Sequence, residues 1–440
     1  MKKMTTAFSA SLVILSLISG CGGNTPASGV PGKSETSAPT PESKPEPVTI
    51  RVLQYSADIT DNDFTNLVAG PVHAKYPHIT LELVRMPKGL TLQDLVTSGD
   101  IPDLIYTGSR QIENFKALAI PADMNELVKK HKMDLGVFDA NVMDIIKQRG
   151  DKGELYALPW SMNFSALYYN KDIFDKFGVP YPKDGMSWEE VIALGRNVAR
   201  TDGPVTYKPL NAGFFNNFAA PYQVNYVKAG TETPQINNDN VKKALALYKQ
   251  ITDLPGNKES VNNGRPVFEK DRTMAMLPDF GEVLGELADL EKAGNPMNWD
   301  VASYPNMPDA PGRGYETVGF LLMLSSKSKV PDEAFRVISA LTSEEIQMKL
   351  ARGGKVSPLK DLKYREAFGD DVAAFKGKNV KGIFKSSSSP SPTRAKYEDI
   401  GRSVLGTYVT KAVKDELDIN TALRMAEEEA ANKINTEKNK

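Results

Sequence analysis

The sequence predicts an α/β protein built from open sheets flanked by helices, arranged as two domains. Three observations carry this. Short alternating apolar segments recur between helix-length segments, the pattern of strands wound with helices. The helix-length segments carry start and stop signals. The chain has 440 residues, and single cores stop growing beyond roughly 250–300 residues.

The elements follow in order. Residues 48–55 alternate apolar and polar, as do residues 79–83, and a helix-length segment ending near Pro77 separates them. Residues 102–106 form a third short strand after the Ser98-Gly99-Asp100 break. Helical patterns are expected around 111–118, 123–132 and 137–148. Ser187 with Glu190 predicts a capping box, and Thr342 with Glu345 predicts another on a helix ended by Gly353-Gly354. Apolar strands are expected at 274–277, 301–304 and 318–323. Residues 393–435 read as two long helices with Asn420 as the cap between them. No repeat with a period of 20–50 residues is present.

Composition excludes several classes of function. Lys and Arg number 54 against 55 Asp and Glu, a formal charge of −1, so the basic footprint of a nucleic-acid binder is missing. One cysteine and three histidines leave no internal disulfide and no thiolate metal cluster. No metal and no cofactor is expected. HExxH, GxSxG and GxGxxG arrangements are absent from the folded part. His73 and His78 do not share a helix face, His131 lies at a polar helix end, and all three read as structural or solvated rather than catalytic. Asp58, Asp61 and Asp63 lack the glycine of an EF-hand loop. No particular pair of carboxylates stands out for glycoside hydrolysis.

The N-terminus is the most informative surface feature. Lys2 and Lys3 precede a short apolar run from Leu12 to Ile18, too short to span a bilayer. Residues 1–20 are expected to be a cleaved signal peptide, which leaves 420 residues with a formal charge of −3. Residues 22–47 contain no aromatic residue and read as a disordered tether. Ala27, Gly32, Lys33 and Ser34 fit a loose P-loop pattern, but no strand precedes and no helix follows, so no nucleotide site is expected there.

Two resemblances sharpen the picture. Ile18-Ser19-Gly20-Cys21 resembles a bacterial lipobox, which implies acylation of Cys21 and attachment to the outer face of the cell membrane by lipid. Glu154 to Trp160, the run Ala166-Leu167-Tyr168-Tyr169-Asn170-Lys171-Asp172-Ile173-Phe174, and Met186-Ser187-Trp188-Glu189-Glu190 resemble the signature of bacterial extracellular solute-binding proteins of the sugar-binding, maltose-binding-protein-like family. Residues 268–276, 299–305 and 341–347 match further family elements in order, with Asp271 where glycine is usual. The likeness runs over about 48–440.

That resemblance implies a type II periplasmic-binding-protein-like fold: two α/β lobes with the ligand in the cleft between them. The expected layout is lobe 1 at 48–158 with a return at 317–385, and lobe 2 at 159–316 with C-terminal helices at 386–440. It implies a monomer without chemistry of its own that captures a mono- or oligosaccharide and hands it to the permease of an ABC importer. Ligands in open α/β sheets sit beyond the carboxyl ends of strands. The expected contacts are therefore Tyr55, Arg110, Trp160, Asn163, Phe214, Phe215, Asp279, Phe280 and Tyr315. Ser56, the stretch Thr107 to Arg110, and Arg313 border them. Residues 211–226 hold five aromatics among four asparagines, faces for sugar rings beside hydrogen-bonding amides. Phe214 and Phe218, four apart, are equally readable as helix core, and Tyr168, Tyr169 and Trp188 as packing. The alternatives are a surface carbohydrate hydrolase using an acid pair, and a receptor for a peptide or other polar solute.

Overall fold

Alternating side chains on twelve strands among the described residues decide the layout. The structure, a computed structural model, describes residues 45–57, 59–258, 264–315, 319–389 and 395–439, with the Arg110 side chain excepted. The expected signal peptide, Cys21, the expected tether up to residue 44 and the P-loop-like residues lie outside the described residues, as does Asp58. Among the described residues no helix is long and apolar enough to cross a membrane.

The first sheet contains β1 (Val48–Tyr55), β2 (Ile79–Arg85), β3 (Leu104–Gly108) and β4 (Leu158–Met162), completed by β12 (Gly319–Leu324). Its order is β2-β1-β3-β12-β4. β1 runs parallel to β2 and β3, while β12 lies antiparallel to β3 and β4. The second sheet contains β5 (Ser165–Asn170), β6 (Arg200–Asp202), β7 (Val205–Leu210), β10 (Met274–Phe280) and β11 (Trp299–Ser303). Its order is β11-β5-β10-β7-β6. A short ribbon pairs β8 (Val227–Lys228) with β9 (Thr233–Pro234).

Period-two alternation covers both faces of the second sheet. Leu167 and Tyr169 of β5 enter one core with Trp188, Phe218, Leu245 and Leu423. Ala166 and Tyr168 enter the opposite core with Phe268, Leu284 and Trp299. The two adjacent tyrosines thus pack on opposite faces, each buried. The first sheet has its own core, including Leu53, Val72, Ile105, Phe115, Leu321 and Phe335.

Among the described residues the chain passes between the sheets three times. The first passage is Asn163-Phe164, between β4 and β5. That is a few residues later than the boundary expected at 158, because β4 pairs with β12 in the first sheet. The second passage runs from β11 to β12. The third leaves helix Glu344–Arg352 and reaches the second sheet before 385: Phe368, Phe375, Val380 and Ile383 bury against Trp299 and Leu284. The last part of the 317–385 segment expected to return to lobe 1 thus packs with side chains of the second sheet.

Two caps differ from expectation. Ser187 and Glu190 form the predicted reciprocal box. Thr342, however, closes the preceding helix by donating to the Ile338 carbonyl at 2.9 Å, and Ser343 is the N-cap of the next helix. Asp418, not Asn420, caps the last helix, accepting from the amides of Asn420 and Thr421.

Candidate functional site

Parallel strands end at one edge of each sheet, and the connections between the sheets leave from those edges. In the first sheet β1 and β3 run parallel and end at Tyr55 and Gly108, and Phe320 of β12 pairs with Gly108. Met162, at the end of β4, pairs with Gly319 at the same edge. In the second sheet β7 and β10 run parallel and end at Leu210 and Phe280. Ser165, at the start of β5, pairs with Phe280, and Ser303, at the end of β11, pairs with Ala166. Every passage between β4 and β5 or β11 and β12 therefore departs from an edge where carboxyl ends lie, which makes these two edges the candidate walls of a ligand cleft.

Exposure sorts the expected contacts. Phe214 is 65% exposed, more than any other large apolar side chain among the described residues. It precedes helix Phe215–Ala219, just past β7. Tyr55 is half-buried and meets Phe115 edge-on at 5.3 Å. Ser56 beside it is exposed with φ 52°, a left-handed conformation that costs a non-glycine residue energy. Phe280 is half-buried and packs edge-on against Tyr315 at 5.1 Å. Tyr222 is also half-buried.

Others on the expected list sit inside. Trp160 is 2% exposed, packs edge-on against Tyr106 at 5.4 Å, and its indole nitrogen has no hydrogen-bond partner in the structure. Its carbonyl accepts from the buried Gln347 amide at 2.9 Å, beside an irregularity in β12. Phe215 meets Tyr248, and Tyr315 is 1% exposed with its hydroxyl donating to the Pro278 carbonyl at 3.2 Å. These three are core residues of the walls; their apolar area is already removed from water, so they offer no open face in this conformation. Burial pushes the Tyr315 phenol pKa up. Of the 211–226 aromatics, Phe218 and Tyr226 are likewise internal, and Phe218 lies 4.9 Å from Trp188. Arg110 belongs to the turn Ser109–Gln111, and its side chain lies outside what is described.

Asp279 and Asn163 are committed to protein partners. Arg265 forks onto Asp279, with Nε donating to Oδ2 at 2.8 Å and Nη2 to Oδ1 at 3.0 Å. Oδ1 also accepts from the Phe280 amide at 2.7 Å. Asn163 accepts from the amides of Phe164 and Gly281 and donates to Glu282 Oε1 at 2.8 Å. The sequence carries no sign of this network, because Arg265, Asn163 and Glu282 come from three distant segments.

A second cluster missed by sequence reasoning binds the passages to one another. The Tyr315 amide donates to Ser165 Oγ at 3.1 Å, the Gly314 amide to the Ser387 carbonyl at 2.8 Å, and Ser389 Oγ to the Gly314 carbonyl at 2.6 Å. The serine run 386–389 is visible in the sequence, but its partners are not. The histidines are all engaged: His73 with the Ile79 carbonyl, His78 with Glu333 and His131 with Asp332. Asp61 and Asp63 pair with Arg85 and Lys355.

Comparison with known proteins agrees with this architecture. The sequence profile described as bacterial extracellular solute-binding protein matches residues 61–348. A putative binding protein of Brucella abortus (strain 2308) is 26% identical over 340 residues, 71% of this chain and 76% of that protein. The arabinooligosaccharide-binding protein of Bacillus subtilis (strain 168) is 24% identical over 260 residues, 58% of this chain and 55% of that protein. The crystal structure of a sugar transporter from Rhizobium etli, in an open conformation, has a TM-score of 0.69 at 19% identity, covering 87% of this chain and 99% of that one.

Proposed function

Since the chain belongs to the family of bacterial extracellular solute-binding proteins, we propose that it captures a carbohydrate outside the cell and delivers it to the permease of an ABC importer. The observation that carries this reading is the Phe214 ring, exposed at the carboxyl end of β7. An aromatic face left open in this way is suited to the apolar C–H face of a sugar ring. Tyr55 and Phe280 at the facing strand ends offer further aromatic surface, and Asn216 and Asn217 offer half-buried amides for hydroxyl groups. The Bacillus subtilis relative, named for arabinooligosaccharide binding, and the Rhizobium etli structure, named as a sugar transporter, favour the same ligand class. Binding draws the lobes together by hinge motion, to the extent that ligand prefers the closed form.

Calorimetry of the folded protein against a panel of mono- and oligosaccharides tests this. Saturable binding is expected for at least one sugar, and no heat across the panel would overturn the assignment. Phe214→Ala should weaken that binding by about tenfold to hundredfold, the equivalent of burying about 1.5–3 kcal/mol of aromatic surface. Its unfolding midpoint should stay at the wild-type value, because an exposed ring contributes little to the core.

The proposal includes anchoring through acylated Cys21, with residues 22–47 as the tether. A single acyl chain binds membranes only marginally and several hold firmly. Cys21→Ser is expected to release the protein from the cell surface into the medium. Retention of the variant at wild-type levels in the membrane fraction would remove the anchor from this account.

A further inference from the structure

Arg265 is surrounded by more negative charge than it neutralises. Besides its fork to Asp279, Nη1 donates to Glu286 Oε1 at 3.0 Å, and Nη2 lies 3.5 Å from Glu282 Oε2. Glu282 and Glu286 are four apart on helix Glu282–Lys292, a like-charged pair on one face. Glu269, at the end of helix Gly264–Glu269, is the fourth carboxyl of the group. Glu269 Oε1, Glu282 Oε2 and Glu286 Oε2 are all buried and lack a hydrogen-bond partner in the structure, Glu282 Oε2 keeping only its ion-pair approach to Arg265. Buried carboxylate oxygens without donors are costly, and one proton held between Glu269 and Glu286 lets one carboxyl donate to the other.

We propose that Glu269 and Glu286 share one proton and, through Arg265, set the positions of Phe280 and Asn163 at the cleft. Arg265 and Glu269 are then positioning residues rather than ligand contacts. The chain of contacts is short. Asp279 holds the Phe280 amide, Glu282 holds the Asn163 side chain, and Arg265 holds Asp279 and approaches Glu282. With the proton present, Arg265 serves Asp279, Glu282 and Glu286. With it lost, two facing carboxylates compete for the same guanidinium and draw it from Asp279 and Glu282. The groups facing Glu269 are Arg265 on its own helix, Asp279 on β10, and Glu286 on the following helix. Glu282 adds to the field at Arg265, and Tyr168 of β5 lies beside the group with its hydroxyl donating to the Phe280 carbonyl at 3.0 Å. Burial, and then Glu286, push the Glu269 carboxyl up to about 8, so the proton is held at neutral pH.

The inference rests on the proposed function only in taking this edge as the cleft, and its main test needs no ligand. Isotope-edited infrared spectroscopy of the full folded protein should show a protonated-carboxyl band that titrates near pH 8 and is missing in Glu269→Gln. Between pH 7 and 9 the ionised fraction should climb. Over that interval hydrogen exchange in the peptides carrying Asn163 and Phe280, corrected for its intrinsic pH dependence, should rise severalfold in the wild type and stay level in Glu269→Gln. Glu286→Gln, which removes the facing charge, should move the titration to lower pH and gives a second reading if Glu269→Gln fails to fold. For a sugar that binds in the panel, affinity should be about tenfold weaker at pH 9 than at pH 7 in the wild type and unchanged in Glu269→Gln. Absence of a titrating band in the wild type, or equal pH dependence of exchange in wild type and Glu269→Gln, would overturn the proposal. A panel without any binding sugar would overturn the carbohydrate reading while the infrared and exchange results still decide this one.

Discussion

Replacing Gly314 by alanine should destabilise the protein by about 2–3 kcal/mol, the range for overpacking in a tight interior, and a second change at Ser165 should undo most of that loss. A Cβ at Gly314 would lie 2.2 Å from Ser165 Oγ but 3.6 Å from Ser165 Cβ, so the hydroxyl alone is in the way. The backbone of Gly314 is outside the left-handed region, so no left-handed strain opposes alanine there. Ser165→Ala by itself removes the acceptor of the buried Tyr315 amide and should cost about 1–2 kcal/mol. The double variant should be close to Ser165→Ala alone, a coupling of about 2 kcal/mol in denaturant midpoints. Simple addition of the two losses would show that the passages are not in contact at this point. The position matters because Ser165 follows the first passage, Gly314 lies on the second and Ser387 comes after the third.

Glu398→Ala is expected to cost about 3–5 kcal/mol. Glu398 is 3% exposed and accepts from the amides of Tyr226 at 2.8 Å and Val227 at 3.0 Å. Removing it leaves two buried N–H groups without their acceptors, at about 1–3 kcal/mol each, and takes a negative charge from the start of helix Glu398–Val413. The segment before β8 should then become sensitive to protease, since the carboxylate fastens it to a helix more than 170 residues away in the chain. Glu398→Gln, which keeps one acceptor oxygen, should fall between. A Glu398→Ala protein within about 1 kcal/mol of wild type would mean that other contacts hold the segment.

Much of the framework was legible because it is written in local chemistry. Val48 to Tyr55 alternates as a strand must, and Ser187 with Glu190 specifies a helix start from within three residues. Tyr168, Tyr169 and Trp188 read as packing residues and are buried. The errors arose where two local signals compete or where a partner is remote. Thr342 and Ser343 are both good cap residue types, yet their hydroxyls bond back to Ile338 and Ala340, so Ser343 takes the N-cap position without a side-chain cap bond. Phe214 and Phe218 are four apart, yet Phe214 stands before the helix and Phe218 inside it, so one is exposed and the other core.

The candidate site divides along the same line. By itself the sequence determined the α/β class, the strand ends where a ligand is expected and the family, because alternation, caps and a contiguous signature act over a few residues. Only the tertiary structure decided which aromatics at those ends face outward. Trp160, Phe215 and Tyr315 have the same chemistry as Phe214 but are enclosed by Tyr106, Tyr248 and Tyr304 from elsewhere in the chain. It also decided that Asp279 and Asn163 are taken up by Arg265 and Glu282. Burial and pairing are properties of neighbours in space, and these neighbours are brought together only when the sheets form.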